Sequence, residues 1–392
     1  FTLIRLGFAA GPLLLGPASE LYGRRAVYTV TGLCYSAFSI GVAFAPNAAG
    51  LLVFRFFAGF FGASAINNVP ASVGDYTTPA NRGTYTILYA VMAFGGPALG
   101  PLCSSFIESD IGFHWNLRAM AIFSTILSIF VALVPETHGP TLLKWRISRE
   151  GNAPPPLKLS KIAEVFKVAL ARPIIYLFTE PVVLLVSIYL SVLYGILYGF
   201  FEASVHGGLP RNPWIQKHLI RTDVHLPGTR ISPACILLAT TLYNRHAQLD
   251  AAKGLPTQPE ARLGLAFYGA IGTPIALFLF AWTAPFTSVH WIAPCIAEFL
   301  FGCSMMLIFT GFIPYLIDCY TMTAASALAA GMASRALVGS AFPLFALQMY
   351  HGLTVQGATS LLAGLSCLLA PIPFVFSAYG LGIRSRSKYA VV

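Results

Sequence analysis

A short segment between two apolar stretches combines the residue types needed for an interlocking charge set. Its turn and charged residues are Gly16, Glu20, Gly23, Arg24 and Arg25. Glycine permits a tight turn, and an acid near one helix end can pair with arginines at the start of the next helix. Asp75, at the end of a later apolar stretch, would then lie near Arg24 or Arg25 and complete the set. The alternatives are an ordinary basic loop and, for Asp75, a helix-end turn residue.

Three ionisable residues lie in or at the end of other apolar stretches, namely Arg55, Glu202 and Arg335. A charge inside a membrane helix is costly and is a functional hypothesis by default. Arg55 and Glu202 are therefore candidates for proton coupling, and Arg335 is a candidate for lining a cavity. The alternatives are, in that order, an arginine that snorkels to the surface, an interfacial carboxylate and a buried structural counter-ion. Tyr194 and Tyr198 are further cavity candidates because aromatic faces can stack against an organic cation; packing or contact with lipid is the alternative for each.

A repeated Gly-Pro pair stands in a further apolar stretch, as Gly96-Pro97 and Gly100-Pro101. Each proline removes a backbone donor and bends a helix, while the glycines permit close packing against a neighbouring helix. A single Gly-Pro kink is common in membrane helices, so chance is the alternative to a functional role.

The composition indicates that these residues are held by membrane helices. Of the 392 residues, 56% are hydrophobic and only 10% are charged, and the mean hydropathy is +0.72. Soluble domains carry roughly 25% charged residues, whereas a stretch of about 20 apolar residues crosses a bilayer. The sequence therefore predicts an all-α membrane protein with spans at 3–18, 27–45, 50–73, 85–107, 119–135, 173–201, 263–283, 290–317, 325–349 and 355–380.

The basic residues give the spans a direction. The net charge of +10 is concentrated in loops and in the C-terminal tail, as the positive-inside rule expects, and this distribution argues against a nucleic-acid partner. It places the segment 141–172 and the C-terminus in the cytoplasm. The seven cysteines show no metal-ligand spacing and are expected to be buried spectator thiols.

The polar segment 141–172 divides the chain into two helical halves. The sequence predicts an N-terminal half at 1–140, a cytoplasmic linker at 141–172, a C-terminal half at 173–383 and a cytoplasmic tail at 384–392. Residues 203–233 lack periodicity where a span is expected, so they are either a natural loop or an artefact of the gene model.

The segment 16–25 resembles the signature loop of the major facilitator superfamily, G-x-L-A-D-R-x-G-R-R, with Glu20 in place of the aspartate and Leu21 in place of the first basic residue. By this resemblance Arg55 is the fourth-helix arginine that is associated with proton coupling. The Gly-Pro repeat resembles the antiporter motif of the drug:proton subfamily. Further segments resemble the fungal twelve-helix drug:proton antiporters, at 135–140, 171–173, 178–181, 194–203, 325–335 and 342–345, as does Asp318.

The resemblance implies a major facilitator fold of two helical bundles, with 10 to 11 of its twelve helices present (helices 2–6 in the first half, helices 7–12 in the second, with helix 8 incomplete). It implies a monomeric secondary transporter, not an enzyme, that expels drugs or polyamines in exchange for protons and needs no cofactor or metal. The plasma membrane is the expected location and the vacuolar membrane the alternative. A degraded, non-transporting relative is the competing interpretation of function.

Overall fold

The computed structural model describes residues 2–77, 111–150, 159–206, 259–286, 292–320 and 324–385, together with scattered residues at 85–107 and near 289 and 388. These residues form α-helices and one 3-10 turn, and no strand occurs among them. The prediction of an all-α protein is confirmed.

Eleven α-helices are delimited within the described residues, with a 3-10 turn at Pro259–Leu263 before the eighth. They are α1 Thr2–Tyr22, α2 Arg24–Ala43, α3 Ala48–Tyr76, α4 Phe113–Leu133, α5 Gly139–Arg149, α6 Leu159–Thr179, α7 Pro181–His206, α8 Gly264–Thr283, α9 Ile292–Cys319, α10 Ala324–Leu369 and α11 Ile372–Arg384.

Eight described helical segments are long and apolar enough to cross a bilayer. They fall in α2, α3, α4, α7, α8 and α9, in the first arm of α10, and in its second arm continued into α11. About half of the predicted span 85–107 and nearly all of the segment 203–233 lie outside the described residues.

Two breaks set the boundaries of the C-terminal spans. The predicted span 173–201 starts too early, because α6 runs from Leu159 to Thr179 and a new helix begins at Pro181. Proline suits the first position of a helix, where its missing N–H is not needed. The long α10 turns at Thr354, whose backbone φ of 62° interrupts the helix between its two predicted spans.

In the N-terminal half, small residues let α1 and α3 approach closely. A Cβ atom on Gly59 would collide with the backbone carbonyl of Ile4, and one on Gly7 would collide with that of Phe56. Lipid tails are as apolar as side chains, so close packing and hydrogen bonds drive such helix contacts. On the other side of the bundle, the hydroxyls of Ser36 in α2 and Ser128 in α4 lie 2.7 Å apart.

The largest buried apolar cluster lies in the C-terminal half. It joins α7, α8, α9 and α10 around residues such as Tyr189, Phe312 and Tyr315. The first helix α1 also packs against α10, so it links the two halves. Cys303 in α9 is disulfide-bonded, which corrects the expectation of a spectator thiol at this position. Cys34, Cys319 and Cys367 are free thiols.

Large apolar side chains point away from the bundle. Phe123, Phe130 and Leu133 in α4 are 65%, 63% and 71% exposed. Such a surface would be unfavourable in water and is what a lipid-facing helix presents.

Candidate functional site

The predicted contact between Arg24 and Asp75 is present. The Nε atom of Arg24, at the start of α2, lies 3.2 Å from Oδ2 of Asp75, near the end of α3. The side chain of Arg24 is buried and also donates to the hydroxyl of Ser19 at the end of α1. One guanidinium therefore joins the ends of three helices.

A carboxylate from a distant part of the chain completes this charge cluster. Glu136 follows α4, and its Oε1 and Oε2 atoms accept the backbone N–H groups of Arg24 at 3.0 Å and Arg25 at 3.1 Å. The first N–H groups of a helix have no partner within the helix and carry a partial positive charge. Oε1 also accepts the backbone N–H of His138 at 2.8 Å. The buried Glu136 carboxylate, which is not part of α2, therefore caps the N-terminus of that helix.

The remaining residues of the predicted loop take other roles. Glu20 is exposed and forms no ion pair with a described residue. The carbonyl of Gly16 accepts the hydroxyl of Ser19 at 2.7 Å. The side chain of Arg25 donates to the carbonyl of Ala132 at 3.4 Å. The acid that faces the arginine turn is thus Glu136, although Glu20 occupies the acidic position of the motif.

His138 stands beside this cluster, outside the spanning helices. Its Nδ1 atom lies 2.9 Å from the hydroxyl of Thr141. Burial lowers the pKa of His138, and the positive charge of Arg24 lowers it further. We therefore assign it as a neutral ring at neutral pH.

Substitution of Gly23 by alanine is expected to destabilise the protein by about 1–3 kcal/mol. Gly23 precedes α2 with a φ of 94°, and a Cβ atom there would collide with Oε2 of Glu136. Thermal unfolding in detergent measures the effect. Gly139→Ala is the matched control, because a Cβ atom at Gly139 would meet nothing within 4 Å. Equal melting temperatures for the two variants would contradict the prediction.

The C-terminal half repeats this arrangement with different residues. Nε of Arg262, just before α8, lies 3.0 Å from Oδ2 of Asp318, at the end of α9. Like Arg24 and Asp75, this pair joins the start of one spanning helix to the end of the next. Repeated halves of this kind are typical of secondary transporters.

A second ion pair closes this end of the C-terminal half. Arg384, the last residue of α11, donates from Nε to Oε1 of Glu260 at 2.9 Å and from its Nη2 atom to Oε2 at 3.0 Å. Both side chains are largely buried, with 5% and 11% exposed. Gly380 leaves room for this carboxylate, since a Cβ atom there would collide with Glu260.

Glu180, between α6 and α7, is a buried acid that was not among the predicted site residues. Its Oε2 atom accepts the hydroxyl of Tyr320 at 2.9 Å and also the hydroxyl of Ser387. It therefore ties the chain after α11 to the start of α7.

The three predicted cavity residues of the C-terminal half do come together. Arg335 in α10 lies with its guanidinium carbon 5.8 Å from the ring centre of Tyr194 and 5.0 Å from that of Phe309. The ring of Tyr198 packs edge-on against Tyr194, with 5.0 Å between the ring centres. We call Arg335, Tyr194, Tyr198 and Phe309 the arginine–aromatic site.

Arg5 in α1 reaches this site from the N-terminal half. Its guanidinium lies over the ring of Tyr198, and it donates to the backbone carbonyl of Gly339 in α10. Arg5 is buried, and the sequence reasoning passed over it. The signal was available, because an arginine within an apolar span is the criterion that selected Arg55.

The remaining predicted residues are not brought into either cluster. Arg55 in α3 is partly exposed, and no described carboxylate pairs with it. Glu202 lies in α7, but its side chain is outside the described residues. Gly96 and Gly100 are helical, and a Cβ atom on either would meet no described atom within 4 Å. Pro97 and Pro101 fall outside the described residues.

The comparisons with known proteins agree on one family. The family model described as Major Facilitator Superfamily matches residues 1–343. The chain is 38% identical over 405 residues to the efflux pump FUB11 of Gibberella fujikuroi, covering 99% of this chain and 69% of the relative. It is also 38% identical over 404 residues to the multidrug transporter mdrA of Aspergillus fumigatus, covering 99% of this chain and 65% of that protein.

The fold has solved counterparts as well. The xylose transporter XylE from E. coli, in a partially occluded inward-open conformation, superimposes with a TM-score of 0.64 at 16% identity, covering 96% of this chain and 85% of XylE. At that identity the likeness concerns the fold.

Proposed function

The chain belongs to the major facilitator superfamily, and we propose that it exports small organic compounds across a membrane in exchange for protons. Membership makes it a multi-pass integral membrane transporter of small molecules and not an enzyme. Efflux is the activity in the names of its relatives. The resemblance of its Gly-Pro repeat to an antiporter motif supports exchange over co-transport.

The observation that carries the proposal is the convergence of Arg5 and Arg335 on one set of aromatic rings. Arg5 comes from the N-terminal half, and Arg335 from the C-terminal half. Both arginines contact aromatic rings between the two halves and do not reach toward lipid headgroups. Charged side chains inside a membrane protein commonly mark substrate or ion pathways. The substrate would bind there, between the halves.

The ion pairs support a rocking mechanism. Arg24–Asp75 and Arg262–Asp318 each lie within one half, so each would keep its half rigid during the motion. Arg5, in contrast, connects α1 to α7 and α10. We propose that the contacts of Arg5 break when the halves separate at that end, and that substrate shifts the balance between the two states by binding them unequally.

Orientation and location remain part of this proposal. We place residues 141–172 and the C-terminal tail in the cytoplasm because their basic residues follow the positive-inside rule. The segments 1–140 and 173–383 would be the moving halves of a monomer in the plasma membrane.

The test is reconstitution of the full chain in vesicles that carry a pH gradient. Labelled spermidine, tetramethylrhodamine methyl ester and carboxyfluorescein are the probes. Gradient-dependent movement of at least one probe, abolished by a proton ionophore, is expected. If none moves, the chain is a transporter-like protein without export activity, which is the competing interpretation.

Substitution of Arg55 by alanine is expected to uncouple transport from protons. Arg55 is the charge in α3 that no described carboxylate neutralises, and the family resemblance associates it with coupling. Gradient-driven movement of the probe should fall about tenfold or more, while probe-for-probe exchange without a gradient persists; this is the pattern expected when one step of a cycle is lost. Arg149→Ala, at an exposed position in α5, is the control. Unchanged gradient-driven transport in Arg55→Ala would refute the assignment.

A further inference from the structure

We propose that the arginine–aromatic site binds the carboxylate of a planar organic anion, and that Arg335 is the residue that recognises it. This inference rests on the proposed export function and specifies its substrate class. It departs from the organic cations that the tyrosines alone would suggest.

The surroundings of Arg335 are the first step. Its Nε atom donates to the carbonyl of Gly331, one turn earlier in α10, at 3.1 Å. No described carboxylate lies within 4 Å of its guanidinium, and no described residue accepts a hydrogen bond from its terminal nitrogens. Its electrostatic neighbours among the described residues are the tyrosines Tyr89, Tyr194 and Tyr198.

A guanidinium in this position calls for an anion. Arginine stays charged and presents five N–H donors, of which one is used here. Removing an unpaired charge from water is costly unless a counter-charge is supplied. Arg335 as a residue has intermediate solvent exposure, as expected of a residue that lines a cavity. A carboxylate matches their spacing with two parallel hydrogen bonds.

The aromatic rings specify the remainder of the ligand. Tyr194 and Phe309 flank the guanidinium of Arg335 on ring faces, and a planar ring attached to the carboxylate could stack on the same surface. An organic cation would compete with Arg335 for these faces and would be repelled by its charge. The site therefore favours an aromatic or conjugated carboxylate over an organic cation.

An anion bound at Arg335 would also change the electrostatic environment of the N-terminal half. Tyr89, from the N-terminal half, is within electrostatic range of Arg335, and its own hydroxyl donates to the carbonyl of Ile66 at 2.8 Å. An anion on Arg335 would change the charge that Tyr89 faces.

Two dyes with one ring system and opposite charge test the proposal. Carboxyfluorescein is an anion, tetramethylrhodamine methyl ester is a cation, and both share the xanthene ring. Fluorescence anisotropy of the purified full chain in detergent measures their binding to the wild type, Arg335→Gln and Arg335→Lys. Arg118→Gln is the matched control, because Arg118 also lies 5.3 Å and 5.5 Å from two aromatic ring centres but at the start of α4.

The expected result is saturable binding of carboxyfluorescein that weakens about tenfold or more in Arg335→Gln, as the loss of charge-assisted hydrogen bonds implies. Arg335→Lys should be intermediate, Arg118→Gln should match the wild type, and binding of the cationic dye should not weaken. If Arg335→Gln does not fold, a selective loss of the anion in Arg335→Lys carries the test.

Two results would overturn the anion site: no saturable binding of carboxyfluorescein by the wild type, or equal weakening of both dyes in the Arg335 variants. Vesicle transport separates this failure from that of the export proposal. Movement of spermidine or the cationic dye without carboxyfluorescein binding would refute the anion site and leave export standing. Selective, Arg335-dependent carboxyfluorescein binding without any transport would do the reverse.

Discussion

Replacement of Arg384 by methionine is expected to lower the free energy of unfolding by about 3–5 kcal/mol, because it leaves a largely buried carboxylate without its counter-charge. Glu260 would lose both hydrogen bonds from Arg384, at 2.9 and 3.0 Å. Only 11% of its side chain is exposed, so water can compensate little of the loss. The melting temperature in detergent should fall by about 4–6 °C.

Two further variants show whether the charge itself is responsible. Combining Arg384→Met with Glu260→Gln removes the orphaned charge and should recover most of the lost stability. Arg146→Met breaks an exposed pair with Glu150, whose side chains are 81% and 65% exposed, and should change the stability by less than about 1 kcal/mol. Equal melting temperatures for Arg384→Met and Arg146→Met would refute the argument.

The contact between Arg24 and Asp75 could be predicted because both residues lie at the ends of apolar stretches. The apolar stretch that ends before Arg24 and the one that ends at Asp75 are separated by a single span. They therefore run in the same direction, and both residues reach the same surface. Their contact, 3.2 Å long, follows from that alternation. The fold class came from the composition and the apolar stretches, and the family came from the signature loop and the further motifs. Both are confirmed.

The partner acid of the arginine turn could not be found in this way. Glu136 lies 112 residues from Arg24, and only the packing of α4 against α2 brings it there. The motif predicted Glu20 as the acid of the charge set, but Glu20 is exposed. A local pattern identifies the residues of its own loop but does not identify the distant residues that complete the site.

The corresponding cluster of the C-terminal half could not be predicted from the sequence for a related reason. In the N-terminal half the acid Glu136 comes from the last helix end, and it caps the start of α2. In the C-terminal half the last helix end supplies the base Arg384, and the acid Glu260 lies before α8. The Arg–Asp pair recurs in both halves, but the last helix end carries an acid in the first half and a base in the second. A search for the same residue type at that position would therefore not find the second cluster.

Substitution of Glu136 by glutamine is expected to lower stability by about 2–3 kcal/mol and to abolish most transport, although the two side chains have nearly the same shape. A carboxylate only accepts hydrogen bonds, whereas an amide must turn one NH₂ group toward a partner. Both oxygens of Glu136 face backbone N–H groups, those of Arg24 at 3.0 Å and Arg25 at 3.1 Å. Glutamine would set a donor against a donor and leave a buried N–H unsatisfied, at about 1–3 kcal/mol. It would also remove the negative charge that stabilises the start of α2, which is worth up to about 1 kcal/mol more.

Thermal unfolding and vesicle transport of Glu136→Gln together distinguish a cap from a spectator. Glu150→Gln is the control, since the side chain of Glu150 is 65% exposed. This variant should change the stability by less than about 1 kcal/mol and should transport like the wild type. Glu136→Asp keeps the charge but shortens the side chain, so it should recover part of the stability through the charge alone. If Glu136→Gln melts with the wild type, the carboxylate does not hold the start of α2. The rigidity of the N-terminal half would then depend on Arg24 and Asp75 alone, and Arg24→Gln would have to produce the whole loss of transport.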